Sequence, residues 1–303
     1  MYNIELGKSG LLVPTIAVGC MRISEMSEVQ VSQFIETCLS SGANFFDHAD
    51  IYGAGKSEEV FGKAISNMRE KVIIQTKCGI VPGKMFDFSY EHIMDSVNGS
   101  LKRLGTDYID VLLLHRPDTL MEPEEVAKAF CELKSSGKVR HFGVSNQNPY
   151  QISLLQSYLP MQICTNQLQF SIMHTPMIQS GINVNMYNDS AVNRDGGLID
   201  YCRLNSITIQ AWSPMQYGFF EGCFIDNDKF PELNKVLENI AGKYSVSKTT
   251  IAIAWILRHP AKIQPITGTT NTTRLTDSFK ATEINLTREE WYNIYKAAGN
   301  ILP

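Results

Sequence analysis

Four ionisable residues in the first half of the chain have side chains that could carry out proton transfer together. They are Asp47, Tyr52, Lys77 and His115. An ammonium group beside a phenol favours the phenolate and lowers the phenol pKa, and a neighbouring carboxylate keeps the amine charged. If Lys77 and Asp47 lie beside Tyr52, we expect this phenol to act as a proton donor near neutral pH.

The positions of these residues strengthen the prediction. A single Asp or Lys after a strand more often caps a helix or carries a surface charge. Here Asp47, Lys77 and His115 each end a short apolar, β-rich run, and Tyr52 follows the first of these runs. In a barrel of parallel strands the carboxyl ends meet at one mouth, where ionisable residues indicate chemistry. We therefore predict that the four side chains converge.

Short apolar runs alternate with segments of helical period along the chain, which is typical of βα units around a parallel sheet. The predicted strands are residues 16–19, 44–47, 72–77, 109–114, 141–145, 163–167, 208–212 and 263–266. A hairpin (2–6 with 12–15) precedes them, and the predicted helices are residues 29–40, 57–66, 90–104, 123–136, 149–156, 198–204, 231–259, 272–281 and 287–298. The pattern predicts an α/β fold, a (β/α)8 TIM barrel with an N-terminal β-hairpin and C-terminal helices, as a single domain over residues 1–303.

Glycines and irregular segments mark the connections between these elements. Gly42 and Gly137 follow the last apolar residues of two predicted helices, where a left-handed cap is expected. Residues 171–196 and 216–228 follow strands and show no period of their own. Loops after barrel strands form the active face, so we expect lids or binding loops there. An exposed insertion without a role is the alternative.

Composition and charge exclude several classes of protein. Hydrophobic residues make up 44% and charged residues 19% of the chain, which suits a large buried core. The net charge of -4 comes from 31 acidic and 27 basic residues without a basic run, so no nucleic-acid partner is expected. No apolar stretch has the length of a membrane span, and the N-terminus lacks signal-peptide features. We therefore expect a cytoplasmic protein without membrane attachment.

Cysteine and histidine usage predicts no metal site. The seven cysteines include no Cys-x-x-Cys pair, so neither disulfides nor a zinc cluster is indicated, and we expect reduced thiols. His48 and His115 are possible ligands, but no third or fourth ligand stands at a suitable spacing.

Several motifs resemble the catalytic framework of the aldo-keto reductase superfamily. They are residues 47–53 (DHADIYG), Lys77, residues 112–116 (LLLHR) and residues 137–146 (GKVRHFGVSN). The resemblance runs in order from Gly19 to Arg274, and it is nearest to the branch that contains potassium-channel β-subunits. His48 stands where the family commonly has a small hydroxyl residue.

The resemblance implies a role for each of the four residues. Tyr52 would be the general acid in carbonyl reduction, Lys77 and Asp47 would set its pKa, and His115 would orient the substrate carbonyl. The implied activity is the reversible, NADPH-dependent reduction of an aldehyde or ketone, with the pro-R hydride of nicotinamide C4 passing to the carbonyl carbon. The partner would be a small carbonyl compound whose identity stays open, as does the oligomeric state.

The resemblance also implies residues that contact the cofactor at several strand ends. Those for the nicotinamide are Ser145, Asn146, Gln167 and Trp212. Those lining the pyrophosphate and the substrate side are Gly19, Cys20, Met21, Arg22, Ser213, Pro214, Met215 and Gly218. Those after the eighth strand are Gly268, Thr269, Thr270 and Arg274. The hydroxyls, helix N-terminus and arginine of this last group suit a 2′-phosphate, which favours NADPH over NADH. Many relatives have a lysine in place of Gly268, which implies weaker cofactor binding here.

Other interpretations of the sequence carry less weight. Tyr244 with Lys248, and Tyr292 with Lys296, match the Tyr-x-x-x-Lys pair of short-chain dehydrogenases, but no strand opens into a Gly-rich dinucleotide fingerprint. A barrel glycosidase would need a carboxylate partner for Asp47. The main alternative to an enzyme is a cofactor-binding regulatory or sensor subunit with little turnover.

Overall fold

The computed structural model describes residues 1–302 and is built around a closed barrel of eight parallel strands. The barrel strands are β1 Ala17–Gly19, β2 Phe45–Asp47, β3 Ile73–Cys78, β4 Ile109–Leu114, β5 Val139–Ser145, β6 Ile163–Gln169, β7 Thr208–Trp212 and β8 Gln264–Thr267. Consecutive strands are neighbours all the way round. The barrel closes where Ile266 and Thr267 pair with Ala17 and Val18. The predicted (β/α)8 barrel is confirmed.

The strands are buried on both faces, and most of their residues are apolar. β4, with the sequence IDVLLL, is buried along its whole length. One face of each strand fills the barrel interior and the other packs under the helices. Buried residues therefore follow one another along the strand instead of alternating with exposed ones. All eight predicted strands occur, with ends shifted by at most two residues.

Helices cover the outside of the barrel. Within the described residues they are α1 Glu28–Ser40, α2 Lys56–Ala64, α3 Tyr90–Leu104, α4 Pro123–Ser135, α5 Pro149–Gln156, α6 Pro176–Ile182, α7 Leu198–Leu204, α8 Pro231–Tyr244, α9 Lys248–Leu257, α10 Thr272–Lys280 and α11 Arg288–Ala297. Gly42 and Gly137 have φ of 77° and 75°, so the two predicted left-handed caps are confirmed. No helix in residues 1–302 combines the length and the apolar composition needed to cross a membrane.

The predicted helix over residues 231–259 is in fact two helices. Ser245 has a left-handed φ of 55°, which ends α8, and the side chain of Ser247 caps α9 by accepting from the Thr250 amide. A left-handed residue interrupts the chain of helical hydrogen bonds, and a serine before a helix satisfies its free amides. Both serines are present in the sequence, but the helical spacing of apolar residues continues across them. The sequence pattern therefore predicted one helix instead of two.

The two irregular segments also contain regular structure. Residues 171–196 include α6. Residues 216–228 include a small hairpin, in which Gln216–Tyr217 pairs with Gly222–Cys223. These elements are too short for their period to be recognised in the sequence.

The N-terminal hairpin, Asn3–Glu5 paired with Leu12–Pro14, closes the end of the barrel opposite to the predicted catalytic side chains. Next to it, the Gly7 amide donates to Thr208 Oγ1 at 2.8 Å. A β-carbon on Gly7 would lie 2.5 Å from the Cys164 carbonyl oxygen, so only glycine allows this approach. With this end closed by a hairpin, the opposite end of the barrel is the one open to a ligand.

Glu290 joins the last helix to α8, and its lowered pKa predicts how the stability of the fold depends on pH. It accepts from Lys243 Nζ, the Tyr244 hydroxyl and the Thr287 amide. Burial raises the pKa of Glu290, but these donors outweigh burial and bring it from 4.5 to about 2. A carboxylate with a lowered folded-state pKa stabilises the fold above its unfolded pKa, and this contribution is lost as the pH falls toward the folded-state value.

We therefore expect Glu290→Gln to lower the free energy of unfolding at pH 7 by up to about 3 kcal/mol. Between pH 5 and pH 2 the variant and the wild type should converge. Urea unfolding at several pH values measures this difference, with exposed Glu289→Gln as the control. A constant difference down to pH 2 would contradict the assignment.

Candidate active site

The side chains of Asp47, Tyr52 and Lys77 meet at the carboxyl ends of β2 and β3. Lys77 Nζ lies 2.9 Å from Asp47 Oδ2, 3.0 Å from the Tyr52 hydroxyl and 2.6 Å from the His48 carbonyl oxygen. The Lys77 side chain has no exposed surface. A buried ammonium group is tolerated only when it is paired and hydrogen bonded, and here each of its three protons has an acceptor. The structure thus brings together three of the four predicted residues.

A tight turn between β2 and α2 places Tyr52. Gly53, Ala54 and Gly55 follow it with φ of 58°, 54° and 91°. A β-carbon on Gly53 would lie 2.7 Å from Ser24 Cβ, so both the conformation and the space require glycine. The turn fixes the backbone just after Tyr52 and so restricts where its ring can lie.

Buried glutamines hold Asp47 from inside the barrel. Asp47 Oδ1 accepts from Gln75 Nε2 at 2.6 Å and from Gln167 Nε2 at 3.0 Å. Gln75 also donates to Gln210 Oε1 at 2.8 Å, and Gln210 donates to Gln264 Oε1 at 2.9 Å. This chain of hydrogen bonds crosses the interior from β3 to β8 and orients the carboxylate. Of these glutamines, only Gln167 was predicted as a site residue.

The pKa of Tyr52 is shifted in the direction opposite to our expectation. Burial raises the pKa of the phenol above its usual value, Lys77 opposes this shift, and Asp47 adds to it. Desolvation of the phenolate outweighs the adjacent cation, so Tyr52 is protonated at neutral pH. Burial also acts to lower the pKa of Lys77, but Asp47 and Tyr52 more than offset this effect and keep the amine charged.

His115, the fourth predicted residue, lies beside Tyr52 at the end of β4. The two ring centroids are 6.0 Å apart and the ring planes meet at 81°. Burial, together with the charges of Lys77 and Arg116, brings the pKa of His115 well below its usual value. The ring is therefore neutral and can donate one N–H hydrogen bond to a carbonyl oxygen.

His48 adds no charge to the site. It is fully buried, and its ring centroid lies 4.5 Å from that of Phe61. Burial, and secondarily Lys77, lowers the pKa of His48 to about 3. The unusual residue after Asp47 is therefore a neutral packing group.

The Tyr244 and Lys248 side chains do not form a dehydrogenase-like pair. The Tyr244 hydroxyl donates to Glu290. Lys248 forms ion pairs with Asp226 and Glu238. Both residues thus have structural partners outside the barrel mouth.

The predicted nicotinamide contacts form one connected group at the ends of β5, β6 and β7. Trp212 Nε1 donates to Asn146 Oδ1 at 3.3 Å, and Asn146 Nδ2 donates to Ser145 Oγ at 2.8 Å. Ser145 Oγ in turn donates to the Gln167 carbonyl at 3.0 Å. Asn146 and Ser213 have φ of 56° and 51°, a strained conformation that often marks functional sites.

The ends of β1 and β8 approach each other closely beside this group. Arg22 Nη1 donates to the Gly268 carbonyl at 2.8 Å. A β-carbon on Gly19 would lie 3.3 Å from the Thr267 carbonyl oxygen. Arg22 and Met21 are exposed at this edge. Gly19, Met21, Arg22 and Gly268 thus line one rim of the barrel mouth.

Three other predicted cofactor contacts have side chains that are buried or that pack against the core. Cys20 has no exposed surface, its thiol packs in the main hydrophobic core, and its amide donates to the Asp47 carbonyl at 2.9 Å. Pro214 is also buried, and Met215 packs against the same core. Any contact of these residues with the cofactor would therefore come from their backbone, and their place in the cofactor site stays a prediction.

The hairpin after β7 lies against the Trp212 side chain. The Phe220 ring stacks on Trp212 with centroids 5.9 Å apart and planes at 22°. Gly218 has a φ of 57°, and its carbonyl accepts from Gln169 Nε2 at 2.7 Å, which ties the hairpin to β6. This segment therefore lies beside Trp212 at the carboxyl end of β7, and its part in binding stays a prediction.

Most of the segment 171–196 packs on the flank of the barrel, and its role as a lid or binding loop stays a prediction. With α7 and α11 it lines a cavity of about 640 Å³ on the flank of the barrel, and none of the four catalytic candidates lines that cavity. Asn300 accepts from Thr175 Oγ1 at 2.9 Å and from Gln179 Nε2 at 2.8 Å. These contacts hold the middle of the segment against the C-terminal residues, whereas at its start Ser171 Oγ donates to the Gln216 carbonyl, in the hairpin after β7, at 2.8 Å.

The predicted 2′-phosphate residues lie at the start of α10. Thr269 Oγ1 accepts from the Asn271 amide at 3.2 Å, and Asn271 caps the helix by accepting from the Arg274 amide at 3.0 Å. Thr270 lies between them, half-exposed, and the Arg274 side chain is exposed. Free helix amides beside an exposed guanidinium suit a phosphate group.

A buried ion pair behind Lys77 was not predicted. Glu58 is fully buried and accepts from Arg103 Nε at 2.8 Å and from Thr76 Oγ1 at 2.6 Å. The pair links α2, which follows the Tyr52 turn, to the residue before Lys77. In the sequence Glu58 has the appearance of an ordinary acid in the first turn of a helix, so no local signal could have identified it.

Comparisons with known proteins identify the family of the chain. The profile of the Aldo/keto reductase family matches residues 15–298. The chain is 36% identical to the oxidoreductase YcsN of Bacillus subtilis (strain 168) and 36% identical to the 6-dehydroglucose reductase of Agrobacterium fabrum (strain C58), in each case over 98% of both chains. Its fold is similar to that of a thermostable aldo-keto reductase crystallised with the inhibitor epalrestat, with a TM-score of 0.79 and 27% identity over 98% of this chain and 100% of that one. The chain therefore belongs to the aldo/keto reductase family.

Proposed function

We propose that the protein catalyses the reversible, NADPH-dependent reduction of an aldehyde or ketone to an alcohol. The observation that carries this proposal is the buried Lys77 ammonium group, which lies within hydrogen-bonding distance of both the Tyr52 hydroxyl and the Asp47 carboxylate at the barrel mouth. The neutral His115 ring stands beside the same phenol. This set suits a proton transfer to a carbonyl oxygen.

Each residue has a defined part in the proposed reaction. When bound, NADPH supplies the hydride that goes to the carbonyl carbon. Tyr52 donates its proton to the carbonyl oxygen, and Lys77 stabilises the phenolate that remains. His115 donates a hydrogen bond to the same oxygen and orients the carbonyl. In the oxidation direction the Tyr52 phenolate takes the proton back from the alcohol.

The residues at the mouth fit a dinucleotide that carries a nicotinamide. Trp212 is half-exposed, and Ser145, Asn146 and Gln167 supply amide and hydroxyl groups next to it. Stacking and hydrogen bonds together would fix which face of a planar ring is presented. The start of α10 would hold the 2′-phosphate.

Arg274→Ala should weaken NADPH binding about tenfold or more and leave NADH binding nearly unchanged, because only NADPH has the phosphate that pairs with the guanidinium. Titration of protein fluorescence with each cofactor gives both dissociation constants. Lys280→Ala is a matched control, since Lys280 is a cation on the same helix that pairs with Asp277 at 2.9 Å. Equal losses for the two cofactors would refute the role of Arg274.

The decisive test of the proposed function is turnover with a substrate panel. The panel contains aldehydes, ketones, quinones and, because one relative is named a 6-dehydroglucose reductase, an aldehyde derived from a sugar. Loss of NADPH absorbance over many turnovers supports an enzyme. A protein that binds NADPH tightly but oxidises it no more than once would instead be the regulatory or sensor subunit.

A further inference from the structure

Arg116 reaches across the barrel mouth from the end of β4 toward β7. Its guanidinium carbon lies 5.6 Å from the centroid of the Trp212 ring and 5.9 Å from that of Phe219. The residue is half-buried. Burial lowers the pKa of Arg116, and its interaction with Tyr52 opposes that shift. A guanidinium cation therefore stands beside both the proposed nicotinamide platform and the proposed acid.

Arg116 has no carboxylate partner, whereas two of the three other half-buried arginines do, and the third, Arg258, donates to the Leu286 carbonyl at 2.7 Å. Arg69 pairs with Asp110 at 2.8 Å, and Arg103 pairs with Glu58 at 2.8 Å. In the described part of the chain, residues 1–302, no carboxylate forms an ion pair with Arg116. A partly desolvated guanidinium without a partner is costly to the fold, so its position calls for an explanation other than stability.

The acids nearest to the mouth are engaged elsewhere. Asp118, two residues after Arg116, accepts from the Phe88 amide at 3.0 Å and from the Leu120 amide at 2.8 Å. Asp47 is neutralised within the catalytic group, and the imidazole beside it carries no charge. Neither of these acids pairs with Arg116, and Glu221, on the same hairpin as Phe219, is exposed to solvent. The guanidinium of Arg116 is therefore available to an anion at the mouth.

We propose that Arg116 binds an anionic group of the carbonyl substrate, so that the preferred substrates are aldehydes or ketones with a carboxylate or a phosphate. This inference rests on the proposed function. A planar guanidinium donates two parallel hydrogen bonds to either anion, and the partly desolvated mouth strengthens the pairing. The Trp212 and Phe219 rings provide apolar contact for the part of the substrate between the anion and the carbonyl.

The test compares kcat/KM for a charged and a neutral substrate of similar size. One pair is 4-carboxybenzaldehyde with 4-methylbenzaldehyde, and the other is glyceraldehyde 3-phosphate with glyceraldehyde. We expect the wild type to prefer the charged member of at least one pair by roughly tenfold or more, as charge-assisted hydrogen bonds allow. Arg116→Gln should abolish that preference, and Arg116→Lys should keep part of it. The pair with the larger preference identifies the anion.

Controls separate this inference from the proposed function. Arg258→Gln, a half-buried arginine that donates to the Leu286 carbonyl, should leave the preference unchanged. Turnover of neutral and charged aldehydes with equal kcat/KM, or an unchanged preference in Arg116→Gln, would overturn the inference and leave the proposed function standing. A loss of NADPH affinity in Arg116→Gln as large as its loss of substrate preference would also overturn the inference, since Arg116 would then serve the cofactor.

If no aldehyde is turned over, the proposed function fails but the anion site can still be judged. Calorimetric titration of the NADPH complex with 4-carboxybenzaldehyde and with glyceraldehyde 3-phosphate then replaces kinetics. A roughly tenfold weaker binding of either compound to Arg116→Gln supports the site. Equal binding of both compounds to the variant and the wild type overturns it.

Discussion

Replacing Tyr52 with phenylalanine should lower kcat for carbonyl reduction by about two to four orders of magnitude, because the substrate oxygen loses its proton donor. The aromatic ring and its packing are kept. Lys77 retains the Asp47 carboxylate and the His48 carbonyl as acceptors. We therefore expect the dissociation constant for NADPH to change by less than about threefold, in contrast to kcat. Steady-state kinetics and fluorescence titration measure the two quantities.

The matched control is Tyr244→Phe. This tyrosine also donates to a buried acceptor, Glu290, but lies outside the barrel mouth. Its loss should leave kcat within about twofold of the wild type. A Tyr52→Phe protein that keeps the wild-type kcat would show that another group supplies the proton.

Replacing Lys77 with methionine should remove turnover to a similar degree and also destabilise the fold by about 3–5 kcal/mol. The variant leaves the Asp47 carboxylate buried without its cation, at 3% exposure. It also removes the charge that stabilises the Tyr52 phenolate in the proposed reaction. Urea unfolding gives the loss of stability, and kcat with a saturating aldehyde gives the loss of catalysis.

A double variant separates these two effects. Lys77→Met combined with Asp47→Asn removes both charges, so it should regain part of the lost stability, because no uncompensated charge is buried. It should not regain activity. Unfolding of Lys77→Met at the same urea concentration as the wild type would contradict the buried ion pair, and a double variant with restored kcat would contradict the role of Lys77.

The barrel and most of the catalytic group could be predicted because both follow from local patterns. Asp47, Lys77 and His115 each end an apolar run, and parallel strands bring their carboxyl ends to one mouth whatever the loops do. The Tyr52 turn is recognisable because Gly53 and Gly55 permit a left-handed backbone that other residues avoid. Predicting these features requires only the sequence and the order of the strands.

The errors arose where a property depends on tertiary packing. The pKa of Tyr52 could not be assigned from its neighbours in sequence, because burial outweighs the adjacent ammonium. The complete burial of the Cys20 side chain also could not be inferred from its place after the first strand. Gln75 and Gln210 stand in apolar runs without any sign that they meet across the barrel. The free guanidinium of Arg116 could be recognised only once its possible partners were located.

The most direct test of the central claim is isotope transfer from NADPH that carries deuterium at the pro-R position of nicotinamide C4. When the wild-type protein reduces an aldehyde over many turnovers, mass spectrometry should find one deuterium in each molecule of the alcohol product. Tyr52→Phe should form this product at least about a hundredfold more slowly. Deuterium retained in the cofactor, or an equal rate of labelled alcohol in the two proteins, would contradict the account.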